Sequence, residues 1–237
     1  VNKKVAIALV ILIVFTLLAI IHFNQYPIKN NKKAIEAALA KWVMDPGLNY
    51  SQLDQTNIDT VEVKKMQEID NRTVVFFSYK RDDKEIFAYA KLKKGLNNRF
   101  EILSTGHASG KTFLTTNLKT GKNIYRVVMG QNFGKEISSF TLDVDGLKFN
   151  SDISKEDYFI RSFQIPQNAS PVDKLILYDK DNNNITNEIE KKYPVVDGGG
   201  TRTLMEEGII EKFLSGLIII IGIFMVRGIN RKNANPE

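Results

Sequence analysis

Two long apolar runs bracket a polar middle, and between them hydrophobic positions recur first at helical and then at strand spacing. Residues 5–23, VAIALVILIVFTLLAIIHF, contain no Asp, Glu, Lys or Arg. Nineteen helical residues reach roughly 28 Å, close to the hydrocarbon thickness of a bilayer. The run therefore predicts a membrane-spanning helix. A cleaved leader would share its charged start and apolar body, but no small-x-small site follows Ile20, Ile21, His22 and Phe23. The second run, residues 213–226, reads FLSGLIIIIGIFMV. It is short, yet Lys212 and Arg227 flank it and residues 203–211 are compatible with an extension of the same helix. The expectation is a second spanning helix over 203–227.

Basic residues lie outside both runs: Lys3 and Lys4 before the first, Arg227, Arg231 and Lys232 after the second. That asymmetry predicts cytoplasmic termini (residues 1–4 and 228–237) and an outer region over 24–212, a two-pass cell-membrane topology. It also changes the meaning of the net charge of +6. Five of the 33 basic residues sit in those flanks, leaving 28 against 26 acidic residues in the middle. A nearly balanced middle argues against nucleic-acid binding.

In the middle, Ala34, Ile35, Ala38, Leu39 and Trp42 recur every three or four positions, which predicts a helix over 32–43 closed by Pro46-Gly47. Four strand-like runs follow, at 60–69, 72–79, 85–93 and 99–104, joined by short turns. In the third, Ile86, Ala88, Ala90 and Leu92 alternate with Glu85, Phe87, Tyr89 and Lys91. One apolar and one mixed face is what a sheet with a helix on one side needs. A helix on an antiparallel meander resembles the cystatin-like or NTF2-like arrangement in shape. Residues 105–122 read as looser chain. Further strand candidates at 123–129, 138–144, 158–163 and 172–178 predict a β-rich, sandwich-like part, with turns at Asp145-Gly146 and 181–184. The fold expected is α+β, with the outer region divided into 24–110 and 111–194. Gly198, Gly199 and Gly200 mark a glycine-rich linker over 195–202.

Candidate chemistry is thin. The chain has no cysteine and two histidines, which removes thiol, disulfide and cysteine-ligated metal chemistry. His107 would have to serve any serine–histidine hydrolase, with Ser104 or Ser109 as nucleophile. Gly110-Lys111-Thr112 lacks the first glycine of a phosphate loop, since position 105 is Thr105, so no nucleotide partner is expected. Asp143 and Asp145 are spaced to share a strand face, and Asp82/Asp83 and Glu206/Glu207 are further acidic pairs. Asp179, Asp181, Asn183, Ile185, Asn187 and Glu190 occupy positions 1, 3, 5, 7, 9 and 12 of a calcium-loop spacing. Asn184 stands where that loop carries glycine, and an Asp/Asn-rich hairpin turn explains the same residues. Asn71, Asn168 and Asn184 begin glycan-acceptor patterns.

The functional expectation is a non-enzymatic, membrane-anchored extracytoplasmic accessory or interaction protein of a bacterial envelope complex, in a Gram-positive host. Its partners would be the lipid bilayer and other membrane or envelope proteins. The contact candidates are Phe76, Phe77, Tyr79, Phe87 and Tyr89 as exposed aromatics, with Gly216 and Gly222 on the second helix. The alternatives are a small-ligand sensor with a cavity between helix 32–43 and the sheet, or a surface hydrolase.

Overall fold

The computed structural model describes residues 3–44, 58–81, 84–108, 113–121, 123–170, 174–193, 200–203 and 209–232. They form two compact units. The helical unit draws on residues 1–29, 95–101 and 204–237; the sheet unit on 30–94 and 102–203.

In the helical unit, α1 (Lys3–Gln25) is followed by the two-residue strand β1 (Ile28–Lys29). β1 pairs antiparallel with the start of β5 (Arg99–Ala108), Ile28 opposite Phe100 and Lys29 opposite Arg99. The long helix α4 (Ile209–Lys232) packs against α1. Only α1 is long and apolar enough to cross a membrane among the described residues; the apolar part of α4, Phe213–Arg227, is shorter. At 1.5 Å per residue that part reaches roughly 22 Å, well short of the hydrocarbon core. The expected fold with two spanning helices, and the two-pass topology with both termini cytoplasmic and 24–212 outside, are corrected accordingly.

The sheet unit begins at Asn30. The Asn31 side chain accepts the Ala34 amide at 2.9 Å and so caps α2 (Lys32–Met44). Ile35 and Leu39 are the buried residues of α2. The strands β2 (Ile58–Ile69), β3 (Arg72–Arg81) and β4 (Lys84–Lys94) run antiparallel, and β5 continues the order. β12 (Gly200–Thr203) pairs with β5, Gly200 opposite His107. The sheet curls, and β2 shows why: its register slips between Ile58 and Val61 and again between Val63 and Lys65. Such bulges bend a strand and free a backbone amide. The Val63 amide donates to the Glu36 carboxylate of α2 at 2.9 Å, which fastens the helix to the bulge.

A second sheet, β10-β7-β6, consists of β6 (Phe113–Thr120), β7 (Asn123–Gln131) and β10 (Tyr158–Ile165). It lies on the first sheet. Val74, Phe76, Phe87 and Tyr89 share one core with Leu114, Leu118, Val127, Met129 and Ile160. A third sheet, β11-β8-β9, comprises β8 (Ser139–Val144), β9 (Leu147–Asp152) and β11 (Lys174–Tyr178). Phe140, Leu142 and Leu177 of that sheet form a second core with Val128, Phe159 and the short helix α3 (Thr186–Lys192). The expected picture of a meander with a helix on one side is thus corrected: the mixed face of β4 is covered by another sheet. The sandwich-like part is likewise not closed on itself, since one of its sheets shares a core with the meander.

Candidate membrane interface

α1 consists almost wholly of Leu, Ile, Val, Ala and Phe, and its side chains point outward. Leu9, Leu12, Ile13, Phe15, Ile20 and Phe23 are all exposed, and Val10 is its single buried large hydrophobic residue. The one hydroxyl in the run is satisfied locally, because Thr16 Oγ1 donates to the Leu12 carbonyl at 2.8 Å. Its neighbour α4 is equally outward-facing at Phe213, Ile219, Ile220, Ile221, Ile223 and Phe224. A surface of this kind is stable in contact with lipid or protein, and costly in water.

The two helices meet at a glycine. A Cβ on Gly222 would stand 2.7 Å from Val14 Cγ2, whereas one on Gly216 would meet nothing within 4 Å. Of the two glycines expected to serve partner contacts, Gly222 is spent on an internal helix contact and Gly216 lies open.

The exit of α1 is tied down by polar and aromatic groups. Gln25 Nε2 donates to Glu101 at 3.4 Å, and the Tyr26 amide to the His22 carbonyl at 3.2 Å. The Tyr26 ring lies 4.8 Å from the His22 ring and is buried. It also presses on the turn at 95–98: a Cβ on Gly95 would fall 2.6 Å from the ring. Within that turn the Gly95 amide donates to the Arg99 carbonyl at 2.8 Å, and Asn98 is left-handed at φ 55°. Leu96, at its tip, is 98% exposed.

The five aromatics expected at the surface are elsewhere. Phe76, Phe77, Tyr79, Phe87 and Tyr89 are all buried. Phe76 stacks on Phe87 with centroids 5.5 Å apart, and the Tyr89 hydroxyl bonds Thr116 of β6 at 3.1 Å. They are core, because a sheet covered on both faces buries both halves of its alternation. The sensor reading needed a cavity beside α2. Instead Ile35, Leu39, Val75, Phe77, Ala88, Ala90 and Leu92 are packed to almost no exposure.

The acidic loops hold turns. Asp143 accepts the Gly146 amide at 2.8 Å, and Asp145, itself left-handed at φ 52°, accepts the Ser170 amide at 2.7 Å. Asp179 accepts the amides of Asp181 and Asn183 and the Asn183 side chain, all within 2.9 Å. Those bonds hold its carboxyl below the usual range, the Asn183 side chain contributing most. The segment is not a helix–loop–helix. β11 precedes it, Tyr178 bridges to Asn184, and the chain then enters α3, with Ile185 buried and Asn187 and Glu190 exposed. No group of three or more His, Asp or Glu that could hold a metal occurs among the described residues. The hairpin expected here is replaced by strand, turn and helix.

Ser104 and His107 are three apart on β5 and so face opposite sides of the sheet. Ser109, Lys111, Asp82, Asp83, Glu206, Glu207, Pro46 and most of the glycine linker lie outside the described residues. Sequence reasoning missed the 95–98 turn as a feature of interest. Leu96 gives no periodic signal, and the seat of its turn against Tyr26 is visible only in three dimensions. No known protein family, curated protein or solved structure matches the chain.

Proposed function

We propose that the chain is a membrane-tethered accessory or interaction module, held by α1, whose layered α+β unit serves as a rigid binding body rather than a catalyst. The observation that carries this reading is the outward-facing apolar surface of α1, exposed except for the stripe that packs on α4. Lys3 and Lys4 precede that apolar surface, cations that suit the lipid headgroups at the end of an apolar helix. The non-catalytic part of the reading is supported by how the candidate groups are engaged. The carboxylates of Asp143 and Asp179 hold turns, that of Asp145 holds the distant Ser170 amide, and Ser104 and His107 diverge.

The test is membrane extraction of the full chain. Fourteen Leu, Ile, Val and Phe positions in α1 contribute roughly −6 kcal/mol to insertion, and two central arginines cost roughly 6–8 kcal/mol. Leu12→Arg/Phe15→Arg is therefore expected to move the protein from the carbonate-resistant pellet to the soluble fraction. Retention of the double variant in the pellet, or a mature chain that begins after Phe23, overturns the tether.

A further inference from the structure

We infer that the 95–98 turn is a second membrane contact, with Leu96 seated in the headgroup region of the bilayer beside the exit of α1. The inference rests on the reading of α1 as a membrane tether. A single exposed leucine is ordinary on any protein surface. What sets Leu96 apart is its position and how firmly that position is fixed.

The turn is locked to the last turn of α1 by three contacts. The Tyr26 ring lies so close to Gly95 that any larger residue there would clash. The side chains of Gln25 and Glu101 are bonded. β1, two residues beyond Tyr26, pairs with Arg99 and Phe100. The apolar run of α1 ends at Phe23, so Tyr26 and the turn stand at the level where hydrocarbon gives way to headgroups. Tyrosine is suited to that level by its amphipathic ring. Leu96 stands away from the protein, at the tip of a turn closed by the Gly95–Arg99 bond and the left-handed Asn98. Lys29 and Arg99, opposite each other in the β1–β5 register, add two cations where lipid phosphates lie. The partner that fits an apolar tip flanked by cations at the end of a tether is a phospholipid surface, favoured when it carries anionic lipid.

The chain has no cysteine, so one nitroxide can be placed on a Leu96→Cys variant of the full chain. Leu96 is fully exposed, and its replacement leaves the fold intact. The labelled protein is reconstituted into vesicles of phosphatidylcholine and phosphatidylglycerol and isolated by flotation. The expected result is that oxygen, which concentrates in lipid, relaxes the nitroxide more than a water-soluble nickel chelate does. The difference should widen as the phosphatidylglycerol fraction rises. A Phe23→Cys label reports the apolar end of the helix in the same vesicles. Flotation with a nickel-accessible label at 96 and an oxygen-accessible label at 23 overturns the second contact and leaves the tether standing. Failure to float overturns both.

Discussion

The helical unit and the sheet unit both are rich in large apolar side chains, but they turn them in opposite directions. In the helical unit Ile13, Phe15, Ile20 and Phe23 of α1 and Phe213, Ile220 and Phe224 of α4 face outward. In the sheet unit Phe76, Phe77, Phe140 and Phe159 are fully buried. A polypeptide in water buries such groups where its topology allows. A sheet with a helix on one face and a second sheet on the other allows it on both sides of β3 and β4. Two helices packed on each other can hide only a narrow stripe, here Val10, Val14 and Gly222. The difference teaches that the sheet unit is stabilised by itself, while the helical unit calls for an apolar surrounding.

The sharpest way to break the contrast is to truncate one phenylalanine in each unit. Phe77→Ala is expected to cost about 3–5 kcal/mol of folding stability, because a filled core relaxes only partly around a cavity. Phe15, 67% exposed, has no such cavity to leave, and Phe15→Ala should change stability by less than about 0.5 kcal/mol. Chemical denaturation of the full chain in detergent measures both. Similar losses for the two variants would end the distinction.

These directions were only partly legible beforehand. Alternation and two-residue turns marked β3, β4, β7, β8 and β10 to within a few residues, because each strand carries its own pattern. What covers a face is not a property of one strand. Phe87 and Tyr89 alternate with Ile86, Ala88 and Ala90, and that pattern fits a half-wet sheet as well as a doubly covered one. The cover itself, β6, was hidden by composition: Leu114 and Leu118 alternate correctly, but Thr116, Asn117 and Thr120 read as loop. α3 is seven residues long and depends on Ile185 and Ile189 reaching a core that no local window contains. At the membrane side, apolar content was easy to read and helix length was not. The run at 213–226 has the residues of a spanning helix without its reach.

A smaller effect sharpens the contrast from within the sheet unit. Lys91 sits on the covered face of β4, its Nζ 5.6 Å from the centroid of the Tyr89 ring, with no acidic side chain paired to it among the described residues. Burial pushes its pKa down to about 8, from the ordinary 10.5. The unfolded chain therefore binds the extra proton between those values, and the native state loses stability as pH falls from about 10.5 to about 8. The full penalty below pH 8 is on the order of 3 kcal/mol. Lys91→Met is expected to recover about 1–3 kcal/mol at pH 7 and to flatten that part of the pH profile. A wild-type and variant pair whose denaturation midpoints differ equally at pH 7 and pH 11 would show that the amine is not desolvated.

The smallest effect belongs to the tight contact between α1 and α4. An alanine in a helix is favoured over glycine by up to about 1 kcal/mol, so Gly216→Ala, with open space around it, should stabilise by up to that amount. Gly222→Ala has the same intrinsic gain but must displace Val14, whose branched side chain has little freedom within a helix. The expected outcome is a net loss of about 1 kcal/mol in thermal melts of the full chain in detergent. Removing the obstacle should reverse the sign: Val14→Ala combined with Gly222→Ala is expected to couple by at least about 0.5 kcal/mol beyond additivity. If the two substitutions are additive, Gly222 is an ordinary glycine in a helix, and α1 and α4 touch there without depending on each other.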